Sequence, residues 1–326
     1  MTTTQPTIET AGSWPVMLTP FAADGRIDWH ALDVLTDWYL AGDSQGLFAA
    51  CLSSEIFQLT DEERLAVVCR VMSRAGGRVP VIAAGAFVSG GECTPAALAG
   101  AVARLADTGV AAVVILTNQL VAAEAPDDAW LTFAEDLLAR IDGRIRLGLY
   151  ECPVPHKRVL SARLTAWAAG TGRFDFLKDT CCDFAQIKAK LAALAGSPLR
   201  LYNAHTATLL PSLRTGAHGF SGIGANLVPH LYAWLCRQHR ADPALAAELQ
   251  VFLTATYPVV SLHYPVAAKA YLGLHGLPVL PVSRMNGHGV ETGDLAALHA
   301  FHNDVLVWEQ RLGLVSPFAA AVASRR

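Results

Sequence analysis

The chain has 326 residues, of which 52% are hydrophobic and 16% charged, and a formal net charge of −3 at pH 7. That length suits one large α/β barrel with an appendage or two ordinary domains, and the composition permits a sizeable core. Near-neutral charge without a basic tract argues against nucleic acid or an anionic membrane as partner.

Seven cysteines, an odd number with no CxxC pair, point to reduced thiols rather than a disulfide framework or structural zinc, and no metal is expected. The first residues (MTTTQPTIETAGSW) lack a basic-then-apolar signal pattern. No window reaches about 18 uninterrupted apolar residues. A cytoplasmic protein with no membrane span is expected. Only five of the 25 basic residues are lysines: Lys157, Lys178, Lys188, Lys190 and Lys269. In a chain that otherwise uses Arg, each lysine merits separate attention.

In chain order, short apolar runs occur at residues 15–19 (PVMLT), 46–50 (GLFAA), 79–84 (VPVIAA) and 112–117 (AVVILT). Four more follow at 146–150 (RLGLY), 174–178 (FDFLK), 199–203 (LRLYN) and 219–223 (GFSGI). Such near-continuous apolar runs are typical of strands buried on both faces of a parallel sheet. Helical patterns lie between them. Thr60 is placed to cap a helix whose apolar positions fall at 65–72, and Thr94-Pro95 opens another over 96–107. Further helices are predicted at 125–140, 161–169, 183–194 and 207–214. Eight alternations predict a (β/α)8 barrel over residues 13–226, with an open doubly wound sheet as the alternative. Residues 228–240, 243–256, 265–274 and 295–311 read as helices, giving a C-terminal helical region over 227–315. Residues 1–12 and 316–326 are expected to be flexible tails.

A barrel places its chemistry at the C-terminal ends of the strands. Lys178 ends the sixth run. Burial there would disfavour its charged form and leave free amine for attack on a ketone. A salt bridge to Asp179 or Asp183 is the competing reading. Tyr150 ends the fifth run, where a phenol can shuttle protons beside Lys178 or simply sit at the rim. Ser53, Ser54 and Glu55 follow the second run. Hydroxyls and loop amides at that place suit a carboxylate, or merely cap the next helix. His205, after the seventh run, faces substrate or makes a structural bond. Cys181-Cys182 are read as packing, and His263 and Lys269 as structural or interface residues.

Together these residues resemble the dihydrodipicolinate synthase/N-acetylneuraminate lyase superfamily, over about residues 14–313. MLTPF..DGRID (17–28) is similar to its T-P-F-x-x-x-G-x-x-D opening, and CLSSEIFQLTDEER (51–64) to G-[TS]-T-G-E-x-x-x-L-T-x-E-E. YECP (150–153) is similar to Y-N-x-P, and FLKDT (176–180) to the strand bearing the Schiff-base lysine. GAHGFSGIGANLVP (216–229) is similar to G-A-x-G-x-I-S-x-x-x-N-x-x-P. The resemblance implies that Lys178 forms the imine and Tyr150 relays protons. It implies that Ser53, with loop amides around Ser53 and Ser54, positions the carboxylate of a 2-oxo acid. It also implies a homo-oligomer, tetramer or dimer, and no cofactor beyond the covalent Schiff base.

The chain departs from that pattern. Leu52 replaces one hydroxyl of G-[TS]-T-G-E, and both glycines are gone. The synthases carry a tyrosine pair (T-P-Y-Y-N) after the fourth strand. Here Thr117-Asn118-Gln119-Leu120 stands there, so their second relay tyrosine is absent. Their arginine after Y-N-x-P falls near Pro155, followed at once by His156, Lys157 and Arg158. These changes argue against lysine biosynthesis. LVAAE (120–124) is closer to the Y-L-V-x-A-E of 5-dehydro-4-deoxyglucarate dehydratases, with Gln119 in place of the tyrosine. Glu151 and Ser221 replace an Asn and an apolar residue, which predicts a more polar acceptor side. Glu151 is either an extra acid/base or a surface residue.

The expected substrate contacts are therefore Ser54, Leu120, Glu151, His205 and Ser221. The expected activity is a divergent class I aldolase or lyase joining or cleaving pyruvate, or another 2-oxo acid, and an aldehyde. A sugar-acid dehydratase using the same lysine and a non-catalytic 2-oxo acid binder are the alternatives.

Overall fold

In the computed structural model, residues 7–8, 11–85, 87, 93–285 and 289–319 are described. Eight strands form one parallel sheet: β1 (Gly12–Ser13), β2 (Leu47–Phe48), β3 (Val81–Ala83), β4 (Ala112–Leu116), β5 (Leu147–Tyr150), β6 (Phe174–Asp179), β7 (Arg200–Asn203) and β8 (Gly219–Phe220). β1 pairs with β8, and the sheet runs back in order to β2. The ring closes one step further along the first segment. Val16 bridges Phe48 in parallel, with Met17 N donating to Phe48 O and Phe48 N to Pro15 O, both at 3.0 Å. The structure is therefore a closed (β/α)8 barrel, as the pattern of runs predicts.

The first strand differs from the predicted 15–19 because the segment is shared between two neighbours. Residues 12–14 bond to β8, and 15–17 bond to β2. Pro15 has no N–H to give a ladder, so the regular pairing ends before it. The seam is tight. A Cβ on Gly219 would lie 1.9 Å from Gly12 O.

Eight helices alternate with the strands: α1 (Trp29–Ala41), α2 (Asp61–Ala75), α3 (Pro95–Ala106), α4 (Asp127–Arg140), α5 (Ala162–Gly170), α6 (Phe184–Ala193), α7 (Leu209–Thr215) and α8 (Pro229–Gln238). Thr60 caps α2 in a reciprocal capping box with Glu63. The apolar pattern alone does not single out α1, whose N-terminus is capped by Asp28 on Ala31 N at 2.9 Å. α8 packs on β1 and β8 and completes the eighth unit, so the barrel takes in a helix that pattern places in the C-terminal region.

Beyond it lie α9 (Pro243–Ala255), α10 (Tyr257–Val260), α11 (Val266–Leu274) and α12 (Thr292–Leu312). Lys269, buried in α11, ties this region to the barrel. Its Nζ donates to Glu55 Oε1 at 2.6 Å and Val282 O at 2.7 Å. The other Glu55 oxygen accepts from Ser283 Oγ at 2.8 Å and Arg284 N at 2.7 Å.

Of the segments expected to be flexible, residues 1–6, 9–10 and 320–326 lie outside the described ones. Gly12 is within β1, and Phe318 is buried against Trp38 and Tyr271. Among the described residues no helix is long and apolar enough to cross a membrane.

The barrel interior sets the site. Phe176 stacks on Tyr202 at 4.4 Å and contacts Trp14 at 5.2 Å and Phe48 at 6.0 Å, making an aromatic layer. Side chains two residues apart on a strand share a face. Lys178, two residues beyond Phe176, therefore points into the same interior.

Candidate active site

The β5–β6 ladder pairs Tyr150 directly with Lys178. Lys178 Nζ lies 4.2 Å from the centre of the Tyr150 ring and 5.7 Å from that of Phe48. Both side chains line a cavity of about 290 Å³ at the C-terminal ends of the strands, joined there by Ser53 and His205. A larger depression of about 900 Å³ lies between α1 and α2. Its Arg70 and Arg74 pair with Asp33 and Asp37, and it holds none of this chemistry.

Lys178 is 4% exposed. Burial lowers its pKa to about 8, with the Cys51 and Cys152 thiols pulling weakly the other way. The carboxylates that might have neutralised it are engaged elsewhere. Asp179 bonds Lys190, and Asp183 caps α6 through Ala185 N at 2.7 Å. Burial raises the Tyr150 phenol well above its ordinary range, so it rests protonated, ready to donate. Burial, and then Lys157, lower the pKa of His205, which bonds Thr208 Oγ1 at 3.2 Å.

Four residues expected to touch substrate do not line the cavity. Glu151 is the clearest case. It follows Tyr150, and alternation along the strand turns it outward. There it is fully buried, accepting from Leu160 N and Thr180 N at 2.9 Å each and from Lys190 Nζ. Asp179, next to Lys178, turns outward likewise and shares Lys190. Glu151 is thus neither a surface residue nor a group facing the substrate; it belongs to a buried ion cluster between the strands and α6. Burial and Asp179 raise its pKa.

Ser54 buckles its loop. Its Oγ donates to Met17 O at 2.6 Å and accepts from Cys51 N at 3.0 Å, and its amide is bonded to Cys51 O at 2.9 Å, so that amide is already engaged. Ser221 donates to Trp14 O at 3.0 Å across the seam, leaving Gly222 and Ile223 to line the wall. Leu120 is buried behind the β5 loop. Asn118 Nδ2 holds that loop by Cys152 O at 3.0 Å and Val154 O at 2.8 Å, and Pro153 and Val154 form the wall instead.

The cavity also has lining residues outside the expected set. Cys182, read as packing, is exposed and lies at the cavity with Lys157. Tyr257 and Tyr264 enter from the C-terminal region. No barrel-strand motif marks Tyr264. The available signal is Asn226, at the asparagine of the G-A-x-G-x-I-S-x-x-x-N-x-x-P pattern, whose Nδ2 donates to Tyr264 Oη at 2.6 Å. Leu52, Val154, Ile223, Pro265 and Met285 make much of the remaining wall apolar. Among the described residues, no three His, Cys, Asp or Glu side chains gather as metal ligands would.

Fold and site together define a closed barrel carrying a buried lysine of lowered pKa beside a tyrosine. The chain belongs to the dihydrodipicolinate synthetase family, whose model matches residues 9–286. A 4-hydroxy-tetrahydrodipicolinate synthase of Xylella fastidiosa is 29% identical over 281 residues, covering 84% of this chain and 90% of that relative. One of Stenotrophomonas maltophilia is 27% identical over 305 residues, covering 89% and 98%. Among solved structures, a monomeric dihydrodipicolinate synthase variant superposes with a TM-score of 0.81 at 18% identity, covering 95% of this chain and 99% of that one. The Acinetobacter baumannii dihydrodipicolinate synthase complexed with pyruvate gives 0.77 at 20% identity, covering 94% and 99%. Family membership supports a class I, pyruvate-dependent aldolase or synthase.

Proposed function

We propose that the chain is a class I aldolase or synthase that activates pyruvate as an imine on Lys178 and joins it to, or releases it from, a small aldehyde. The observation that carries this is the buried Lys178 amine, with a pKa of about 8, facing the Tyr150 phenol in the cavity at the barrel mouth. The amine attacks the ketone carbon, and its proton passes to the oxygen by way of Tyr150. When the C–O bond of the carbinolamine breaks, the oxygen takes the Tyr150 proton and leaves as water. The nitrogen lone pair forms the C=N bond, and Tyr150 is left as phenolate. That phenolate removes a methyl proton to give the enamine, which attacks the aldehyde carbon while Tyr150 returns the proton to the aldehyde oxygen; water then adds to the product imine and the C–N bond breaks, freeing the Lys178 amine. Ser53, which lines the same cavity, supplies the hydroxyl that orients the 2-oxo acid carboxylate in this reading. The chain supplies proximity and stabilisation of developing charge.

The size and lining of the cavity favour aldol chemistry over sugar-acid dehydration. About 290 Å³ lies at the lower limit for ligand sites. A polyhydroxylated acid would leave hydroxyls unpaired against Leu52, Val154, Ile223 and Met285, at a cost for each. The relatives' named activity fits the site less well, because Gln119-Leu120 stands where the synthases carry the tyrosine pair after the fourth strand.

Deuterium exchange tests the reading. The protein should wash solvent deuterium into the pyruvate methyl group, and Tyr150→Phe should slow this by about 100- to 10,000-fold, the usual worth of a general acid–base group. A wild type that binds pyruvate without exchange would mark a passive binder. The rate should also fall about tenfold per pH unit as pH drops below about 8, because protonated Lys178 cannot attack. A profile flat from pH 5 to 8 would remove Lys178 from the rate-limiting step.

A further inference from the structure

We propose that the acceptor is an aldehyde with an uncharged apolar body, aromatic or branched aliphatic, and that Met285 and Val154 are the residues that select it. This deepens the imine reading above and rests on it. The step joins C3 of pyruvate to the carbonyl carbon of the aldehyde, whose oxygen gains the proton. The product is a 4-hydroxy-2-oxo acid carrying the apolar body on C4.

The polar groups that line the cavity are largely engaged already. Lys178, Tyr150 and Ser53 act on pyruvate in that reading. Thr180 Oγ1 donates to Glu151 O at 2.6 Å, and Cys182 Sγ donates to Thr180 O at 3.3 Å. His205 Nδ1 is paired with Thr208 Oγ1, and Tyr264 Oη accepts from Asn226. Among the described lining residues there is no arginine, and the one further lysine is Lys157, exposed on the loop after β5. A lone exposed ammonium holds an anion weakly. A carboxylate or phosphate taken out of water needs several converging donors.

The rest of the wall is apolar, and its two exposed members are held in place. Val154 is 42% exposed and Met285 38%, and both line this cavity. Large apolar side chains left exposed around a cavity mark a binding surface. Each has its backbone fixed by a buried polar side chain. Asn118 Nδ2 donates to Val154 O at 2.8 Å. Glu55 Oε2 accepts from Met285 N at 3.2 Å and from Arg284 N at 2.7 Å, and Ser283 Oγ accepts from Met285 N at 3.0 Å. The Arg284 guanidinium adds a second tether, donating to both Glu63 oxygens at 2.7 Å. The segment 282–285 is thus pinned to the barrel rim, which holds Met285 at the cavity. Its unbranched thioether adapts to an apolar or aromatic surface, and a wall fixed in advance loses little freedom when acceptor binds.

The test follows condensation of pyruvate with four aldehydes by mass spectrometry: benzaldehyde, 2-methylpropanal, succinic semialdehyde and glyceraldehyde 3-phosphate. The two apolar aldehydes should exceed the two anionic ones in kcat/KM by at least about 100-fold, since each methylene buried in a hydrophobic pocket is worth about 10- to 200-fold. Met285→Ala and Val154→Ala remove side chains whose backbones make the tethering bonds, so both segments should stay in place. Each variant should lower the ratio of benzaldehyde condensation to pyruvate deuterium exchange by about tenfold. An anionic aldehyde preferred by the wild type, or a ratio unmoved in either variant, would overturn the inference while leaving the imine intact. Exchange without condensation on either apolar aldehyde would do the same. A wild type that traps no pyruvate on borohydride reduction would overturn both.

Discussion

Replacing Lys178 with methionine is expected to lower turnover by more than about 1,000-fold, a barrier increase of about 4 kcal/mol, while leaving the fold at least as stable at neutral pH. The two halves of this result have one cause. The amine is held in a nearly dry interior above an aromatic layer, with both nearby carboxylates committed elsewhere. A group in that setting is costly to keep charged, and methionine fills a similar volume without the charge.

The sign of the pH effect follows. The folded pKa, about 8, lies below the ordinary lysine value of 10.5. Between those values the unfolded chain binds a proton that the folded chain does not, so the wild type gains stability as pH rises through that window. Below about 8 both states are protonated, and the folded state carries the full cost of burial. Lys178→Met should lack this rise. Thermal melts of both proteins from pH 6 to 10, beside activity, check it. A variant that is strongly destabilised at pH 7 would mean that the amine has a partner holding it charged.

The second large effect is on stability. Lys190→Met should cost about 3–5 kcal/mol, the usual result of removing one partner from a buried ion cluster. Lys190 is the cation shared by Glu151 and Asp179, both fully buried. Burial alone would push its pKa down, but the two carboxylates outweigh that and raise it. Without the lysine, two like charges remain in a site that burial already makes hostile to Glu151 ionisation. The variant should therefore recover stability as pH falls. Its folded state takes up a proton on Glu151 at a higher pH than the unfolded chain does. Denaturant midpoints at pH 5 and pH 7.5 measure this. Equal midpoints for wild type and variant at pH 7.5 would show that the cluster contributes little. The effect should extend to activity, because Glu151 and Asp179 immediately follow Tyr150 and Lys178 on the paired strands and fix their ladder.

The two predictions show what the chain makes legible and what it does not. The eight runs were readable because both faces of a parallel strand are buried, which leaves a strong local signature. Lys178 and Tyr150 were readable because each ends such a run. Strand alternation extends one residue past each of these ends. With Lys178 inward, Asp179 and Glu151 had to point away from the cavity, so Glu151 was never placed to meet an acceptor. Ser54 and Ser221 are hydroxyls used up by backbone carbonyls of the first segment, a partner distant in sequence for Ser221. No local pattern reveals such bonds. Tyr264 was invisible for the same reason. It sits near the start of a C-terminal helix and reaches the cavity only because Lys269 and Glu55 dock that region onto the β2 loop. The aromatic layer beneath the lysine likewise depends on side chains from four strand segments meeting in the interior.

The central claim is that Lys178 forms the covalent bond to substrate. The protein is incubated with pyruvate, reduced with borohydride, digested and mapped by mass spectrometry. The account predicts the mass of a reduced pyruvyl adduct on the peptide carrying Lys178, absent without reductant and absent in Lys178→Met. A folded protein that gains no adduct with pyruvate, or gains it on another lysine such as Lys157, would contradict it.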